Sequence, residues 1–313
     1  MATNLSHYLA TTNSRQSPIQ YYFSLGATLY MPATREDLPA IVHGEKLPGL
    51  RSLVICTEDA VHERDLPRAM VNLRRTLEIM GPDSRLRFVR PRDPEVLRQI
   101  VAMPGVERLD GLVLPKVTAE NLALYAEYAA RWPGLWLMPT LETGAVFERR
   151  ALEALRERFA QVVNPILCLR VGGNDLLSLL GLRRSPRLTL YDTPLRGVLN
   201  DIILVFRPAG YEIAAPVFDI LDSPATLARE VALDIHHGLL TKTAIHPVQI
   251  PLIEGAYRVC PEEQALARRI LDPRADAVFR HGGQMCEPAT HRHWAERLLA
   301  RAALYGVSEG KPS

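Results

Sequence analysis

Two stretches, LWLMPTLETG at residues 135–144 and ILCLRVGGNDLL at residues 166–177, share a pattern that decides the fold. In each, an apolar run leads to glycine and to a single carboxylate, Glu142 in the first and Asp175 in the second. A near-continuous apolar run is typical of a strand that is covered on both faces, as in a parallel sheet. The two stretches therefore predict parallel strands, each followed by a carboxylate.

Other apolar runs extend this pattern along the chain. The predicted strands cover residues 26–32, 51–59, 86–91, 111–117, 135–142, 165–172, 211–219 and 239–247. Amphipathic stretches lie between many of them, with Leu, Ala and Val at helical spacing and with Arg and Glu on the opposite side. Strands that alternate with helices predict an α/β fold, a (β/α)8 TIM barrel. An open doubly wound sheet is the alternative, but no G-x-G-x-x-G opens a helix after a strand.

The 313 residues, 47% of them apolar, suffice for one barrel with extensions. We expect a flexible N-terminal arm over residues 1–24, a barrel over 25–250 and a C-terminal helical extension over 251–313. Residues 180–210 exceed the length of one loop and predict a loop and the helix before the seventh strand. A neighbouring subunit could cover the apolar faces of the appended helices, which favours a homo-oligomer.

Charge and apolar patterning argue against several classes of partner. The formal net charge of +2 gives no electrostatic basis for binding nucleic acid. The sequence contains no run of 18 apolar residues, so it predicts no membrane-spanning helix. The N-terminus lacks the apolar core of a secretory signal and the four cysteines show no CxxC spacing, so we expect a cytoplasmic location.

Chemically useful side chains follow the carboxyl ends of the predicted strands. They are Glu58, Asp59, Arg90, Lys116, Glu142, Asp175, Asp219, Asp222, Lys242 and His246. Barrel active sites are assembled at that end, from several strands at once. The clustering predicts one mouth into which the carboxylates project.

Carboxylates from neighbouring strand ends suit Mg²⁺, which takes one or two protein carboxylates and keeps several waters. Such an ion would act as a Lewis acid on a carbonyl or enolate oxygen. Arg90 can offer a bidentate fork to a substrate carboxylate or oxyanion. Gly172 and Gly173 would let backbone N–H groups approach an anion closely.

Simpler roles remain open for these residues. Asp175 could cap a helix that begins at Leu176, since Asp is a favoured N-cap. The pair Glu58 and Asp59 could be a solvated strand end. A histidine such as His246, before a proline, is more often packed and hydrogen-bonded than catalytic.

In chain order, these segments resemble the Mg²⁺-dependent carbon–carbon lyases that include the citrate lyase beta subunit, malyl-CoA lyase and the HpcH/HpaI aldolases. The resemblance spans residues 25–305, and the chain is most similar to a divergent branch called C–C bond lyase. The matching motifs are LYMPA (29–33) with LFVPA, LVICTEDAV (53–61) with ILDLEDAV, RFVRPRDP (87–94) with VRVN, GLVLPKV (111–117) with IVLPKVE, PTLETGAV (139–146) with IETARG, RVGGNDLL (170–177) with FGAEDL, TKTAIHPVQI (241–250) with GKWAIHPSQV, and GGQMCEPATHRHWAERLLARA (282–302) with GKMIDEPHVRRAERIL.

The resemblance implies that Glu142 and Asp175 bind Mg²⁺. It also implies that Arg90 lies beside the substrate oxyanion and that Glu58 and Asp59 hold metal-bound water or the substrate. The implied reaction is reversible carbon–carbon cleavage of a 3-hydroxy acid or its CoA thioester through a metal-stabilised enolate. The remaining expected substrate-binding residues are Gly172, Gly173, Asn174 and Lys242, beside Arg90.

In the acyl-CoA lyases of this family, an aspartate of the terminal motif reaches a neighbouring subunit's site, and trimers or hexamers are usual. This chain has MCEP where the family has MIDEP, so Glu287 is the candidate proton donor. Two other functions use the same site. One is a non-catalytic or complex-dependent metal-binding subunit, and the other is an acyl-CoA thioesterase.

Overall fold

Eight parallel strands form a barrel in a computed structural model that describes residues 17–309. The strands are β1 Ala27–Pro32, β2 Ser52–Cys56, β3 Leu86–Arg90, β4 Gly111–Leu114, β5 Trp136–Leu141, β6 Leu169–Val171, β7 Ile213–Ala214 and β8 Lys242–Ala244. They pair in chain order, and β8 pairs with β1. A bridge between Ala215 and Lys242 connects β7 to β8 and closes the circle. The predicted TIM barrel is confirmed.

Helices cover the outside of the barrel and extend beyond it. They are α1 Pro18–Ser24, α2 Leu38–Val42, α3 Leu66–Ile79, α4 Pro94–Ile100, α5 Leu122–Ala129, α6 Arg149–Phe159, α7 Gly173–Leu179, α8 Leu195–Phe206, α9 Pro224–His236, α10 Ile250–Ala256, α11 Pro261–Leu271 and α12 Pro288–Tyr305. The segment 180–210 does contain a loop and a helix, α8, as predicted. The glycine-rich link between α11 and α12 forms a hairpin of β9 Phe279–His281 and β10 Gln284–Cys286.

Alternation along each strand separates the core inside the barrel from the core beneath the helices. On β5, Trp136 and Met138 belong to the inner cluster, whereas Leu137 and Leu141 belong to the outer one. Successive side chains of a strand point to opposite faces, so inner positions recur at every second residue. This parity brings Glu142 to the inner face at the upper end of β5.

The last three barrel strands are shorter than the sequence predicts. The apolar run at 211–219 yields only the two residues of β7. Pro216 follows soon after β7, and its lack of an N–H donor prevents continuation of the ladder. A segment without helix or strand, residues 215–223, therefore connects the end of β7 to α9.

The expected N-terminal arm includes a packed helix. Residues 18–24 form α1, in which Tyr22 and Phe23 are buried. The Tyr22 hydroxyl donates to the carbonyl of Ile213 at 2.8 Å and accepts from the amide of Leu240 at 2.9 Å. The packed chain therefore begins before residue 25, and residues 1–16 lie outside the described part.

The C-terminal extension contacts the amino-terminal end of the barrel. Tyr305 at the end of α12 donates to the carbonyl of Phe23 at 2.5 Å. Arg297 of α12 forms an ion pair with Glu212, which directly precedes β7. No helix among residues 17–309 is both long and apolar enough to cross a bilayer.

Candidate active site

Glu142 lies at the centre of the barrel mouth, and its two carboxylate oxygens have different environments. Arg90 Nη2 and the backbone amide of Lys116 each donate to Glu142 Oε1 at 2.8 Å. Oε2 is buried, and no described residue gives it a hydrogen bond. The side chain is therefore held in place by one oxygen while the other remains available to a ligand.

Gly172, after β6, faces this free oxygen. A Cβ atom at this position would lie 2.2 Å from Glu142 Oε2. Such a contact is far inside van der Waals distance, so residue 172 must be glycine while Glu142 keeps this rotamer. The first glycine of the GG pair is thus explained by the space that the carboxylate needs.

Asp175 approaches Glu142 from the first turn of α7. The helix begins at Gly173 with Gly172 as its N-cap, so Asp175 is not the capping residue. Burial raises the pKa of the Glu142 carboxyl to about 7, with Arg90 opposing the increase and the negative charge of Asp175 adding to it. The charge of the half-buried Asp175 thus acts on the buried Glu142 carboxylate, and a cation would stabilise both.

Arg90, Glu58 and Lys116 extend this site into a chain of ion pairs. Arg90 Nη2 also lies 2.8 Å from Glu58 Oε2, and Lys116 Nζ lies 2.6 Å from Glu58 Oε1. Asp59 is exposed and lies 3.3 Å from the same ammonium. Glu58 is therefore buried between two cations and is not a solvated strand end.

Lys116 is the residue whose role sequence reasoning missed. Its φ of +49° places a non-glycine residue in the left-handed region. In this conformation its amide contacts Glu142 while its ammonium contacts Glu58. Burial opposes the charge on Lys116, but the contacts with Glu58 and Asp59 outweigh burial and raise the pKa of the ammonium. Nothing in the motif GLVLPKV indicates that Lys116 adopts a positive φ.

The expected substrate-binding role of Lys242 is wrong. Lys242 is fully buried, and its Nζ lies 2.9 Å from Glu230 Oε1 and 2.8 Å from Asp234 Oδ2, both on α9. Its neighbour Thr243 instead bonds to Arg170 inside the barrel. The alternation along β8 therefore directs Lys242 towards the helix layer.

Three other residues that the sequence singled out make contacts close to them in the structure. Asn174, in the first turn of α7, donates at 2.9 Å to Asp219, which lies in the segment after β7. His246 accepts from the amide of Val248 and caps a short turn. Glu287 is the N-cap residue of α12 and accepts from Thr290, without a described contact to the mouth.

The donor set of the mouth fits a hard cation with few protein ligands. The described residues contain no group of three or more His, Cys, Asp or Glu side chains that could hold a metal. Mg²⁺ needs only one or two carboxylates because it keeps water in its shell. The unpartnered oxygen of Glu142 beside Asp175 meets that requirement.

Known proteins share this architecture. The chain is 28% identical over 261 residues to a (3S)-malyl-CoA thioesterase of Cereibacter sphaeroides, which covers 82% of this chain and 85% of that protein. It is 30% identical over 255 residues to a citrate lyase subunit beta-like protein of Mycobacterium tuberculosis, with coverages of 80% and 87%. The crystal structure of protein CitE from M. tuberculosis, in complex with magnesium, acetoacetate and coenzyme A, superposes with a TM-score of 0.66, 25% identity and coverages of 89% and 98%.

The closed parallel barrel and its acidic, arginine-bearing mouth define a TIM-barrel protein with a candidate site at the carboxyl ends of the strands. Residues 19–307 match the model of the C–C bond lyase family of the TIM-barrel fold, and the chain belongs to that family. The family is the one whose motifs the sequence resembles.

Proposed function

We propose that this chain is a Mg²⁺-dependent lyase that cleaves a carbon–carbon bond in a short 3-hydroxy acid or its CoA thioester. The observation that carries the proposal is the buried, unpartnered Oε2 of Glu142, next to Gly172 and under the electrostatic influence of Asp175. Membership of the C–C bond lyase family and the magnesium in the CitE structure support it.

Glu142 and Asp175 would hold the metal. When bound, Mg²⁺ supplies Lewis-acid stabilisation of the negative charge that develops on a substrate oxygen. The Arg90–Glu142 and Lys116–Glu142 contacts fix the carboxylate before the metal arrives. A preorganised ligand of this kind avoids reorganisation during the reaction.

Arg90 would orient the substrate. Its Nη2 is shared by Glu58 and Glu142, while its Nε is buried without a partner among the described residues. A guanidinium held in this way presents its remaining donors in a fixed direction, which suits a carboxylate or an oxyanion.

Cleavage also requires that the 3-hydroxyl group lose a proton and that the product carbon gain one. Asp59 and Lys116 lie at the solvent side of the ion-pair chain and would exchange protons with water there. Glu287 lacks a described contact with the mouth of its own chain. We therefore propose that Glu287 serves the site of a neighbouring copy in a homo-oligomer.

Thioester hydrolysis is the second candidate function. The observation that favours it is the 28% identity to a protein named (3S)-malyl-CoA thioesterase. Hydrolysis would take place in the same mouth. Water would attack the thioester carbonyl carbon, and the carbon–carbon bond would stay intact. The two reactions differ in products: cleavage leaves the CoA thioester intact and releases an oxo-acid or aldehyde, whereas hydrolysis releases a free thiol.

The test combines metal binding with product analysis. Purified chain is given malyl-, citramalyl- and citryl-CoA with Mg²⁺, and carbonyl products and free thiol are measured separately. We expect carbonyl product without stoichiometric thiol from the isolated chain. Thiol without carbonyl product would establish the thioesterase, and activity that requires an added protein would establish a complex-dependent subunit.

Substitutions locate the metal. Glu142→Gln and Asp175→Asn should each weaken Mg²⁺ binding at least about tenfold in calorimetric titration, because each removes a charged ligand. Asp222→Asn is the matched control, since Asp222 is exposed near the mouth without a described contact. Unchanged Mg²⁺ affinity in either of the first two variants, with the fold intact, would refute the proposed site.

A further inference from the structure

Arg170 is a buried guanidinium inside the barrel that no carboxylate neutralises. The residue is 2% exposed on β6. Its Nη2 donates to Thr243 Oγ1 at 2.8 Å, and its Nη1 lies 3.5 Å from the sulfur of Met138. Its Nε has no partner, and it forms no ion pair within the described range of the chain. Most of its hydrogen-bonding capacity is therefore unused.

Two other buried arginines, in contrast, have carboxylate partners. Arg90 pairs with Glu58 and Glu142, and Arg184 pairs with Glu230. Burial of a charge without a counter-ion is costly, and buried charges in proteins are normally paired. The protein therefore carries a cost at Arg170 that an anion from outside would remove.

The position of Arg170 places it directly below the candidate active site. Arg170 is the strand partner of Thr140, whose hydroxyl is also buried without a hydrogen-bond partner. Two residues further along the chain in each case, just beyond the ends of β6 and β5, are Gly172 and Glu142. Two residues of a strand rise by roughly 7 Å, so an unfilled donor set lies about that distance beneath the mouth.

Tyr30 of β1 lies close to Arg170 and also to Arg90 of the mouth. Its ring lies over the Arg170 guanidinium, 5.2 Å from it, and the side chain is only partly buried. Burial raises the pKa of the phenol above its ordinary value, although Arg170 and Arg90 oppose the increase. The hydroxyl therefore stays protonated, and it makes no hydrogen bond with any residue in the described range.

We propose that Arg170, with Tyr30 and Thr140, forms a second anion subsite that binds the far carboxylate of a short dicarboxylic substrate. The inference rests on the proposed function in one respect, namely that the other end of the substrate lies at Glu142 and Arg90. The guanidinium fork matches a carboxylate, and the hydroxyl groups of Tyr30 and Thr140 add donors. The spacing of the two levels fits a diacid of about four or five carbons.

The test compares acids that differ only at the far end. Succinate is compared with butyrate, and glutarate with pentanoate, by calorimetric titration of the full chain with and without Mg²⁺. We expect the wild-type protein to bind each diacid at least about tenfold more tightly than its monocarboxylate, as for a charge-assisted contact. Arg170→Met should reduce this preference to about twofold and leave the affinity for monocarboxylates unchanged.

Control variants separate this effect from a general loss of charge. Arg87→Met removes another buried arginine, on the outer face of β3, where its guanidinium contacts the carbonyl groups of Gly81 and Arg108. It should retain the full preference. Tyr30→Phe removes only a hydroxyl group and should reduce the preference about threefold, as expected for one hydrogen bond.

Each outcome decides the question. A wild-type protein without a preference for diacids overturns the subsite whether or not Arg170→Met folds, and so does a preference that survives in a folded Arg170→Met. The proposed function fails separately: diacid preference without Mg²⁺-dependent turnover refutes the lyase and leaves the subsite. Turnover of substrates without a second carboxylate at equal efficiency refutes the subsite alone.

Discussion

At the scale of single residues, the site depends on a reciprocal fit between Glu142 and Gly172. The carboxylate occupies the space in which any larger residue at position 172 would place its Cβ, 2.2 Å from Oε2. Since Arg90 and the Lys116 amide hold the other oxygen, the carboxylate cannot retreat without losing both contacts. One methyl group at position 172 is therefore enough to disturb the site.

Gly172→Ala tests this fit. We expect Mg²⁺ affinity to fall at least about tenfold and the free energy of unfolding to fall by about 1–3 kcal/mol, the usual cost of overpacking. Calorimetric titration and urea denaturation measure the two effects. Gly197→Ala in α8 is the control, because apart from its own helix backbone and chain neighbours no atom lies within 4 Å of the added Cβ. An alanine at 172 that leaves Mg²⁺ binding intact would contradict the geometry.

At the scale of elements, α9 ties the loop after α7 to β8 through buried charges. Glu230 of α9 pairs with Arg184 and Lys242, and Asp234 pairs with Lys242. The Tyr191 hydroxyl donates to Asp234 at 2.8 Å. All members of this group are largely buried, so each charge depends on the others for compensation. The group fixes the loop that borders the mouth without contributing to the mouth itself.

Lys242→Met breaks this group at its centre. It leaves Asp234 with a hydroxyl partner only, and loss of one member of a buried ion pair costs about 3–5 kcal/mol. Urea denaturation should show a loss of that order. Arg149→Ala removes an exposed partner of Glu153 and should cost no more than about 0.5 kcal/mol. Equal stability of the two variants would show that Lys242 is not the counter-ion of this group.

At the scale of the whole molecule, the C-terminal extension covers the end of the barrel opposite the mouth. Arg51, directly before β2, pairs with Glu254 at 3.1 Å and donates to the carbonyl of Leu304. Its guanidinium also lies 5.0 Å from the centre of the Tyr305 ring. The extension is thus part of the packed structure of its own chain, whatever surface it offers to a second copy.

Tyr305→Ala should destabilise the whole protein. The variant loses a large aromatic side chain from a packed position, and such truncations cost about 3–5 kcal/mol when fully buried, so we expect about 3 kcal/mol here. Tyr305→Phe loses only the hydrogen bond to Phe23 and should cost about 1 kcal/mol. Thermal and urea unfolding measure both. If Tyr305→Ala unfolds like the wild type, the extension does not stabilise the barrel.

The local pattern of the sequence determined the fold and the approximate place of the candidate site. Near-continuous apolar runs, which are typical of strands covered on both faces, predicted the barrel strands. Carboxylates at the ends of these runs predicted the mouth. Glu142, Arg90, Glu58 and Asp175 do lie there. These features could be predicted because the carboxyl ends of parallel strands necessarily meet at one end of a barrel.

Only the tertiary structure decided which way each side chain points. Lys242 and Thr243 are neighbours in the sequence, yet one faces α9 and the other faces Arg170. Shifting a strand by one residue exchanges its two faces, and apolar runs covered on both sides carry no alternation that would reveal the register. The sequence also could not reveal the conformation of Lys116 or the unpaired charge of Arg170. Both depend on which atoms the closed barrel brings together, and residues distant in the chain supply those atoms.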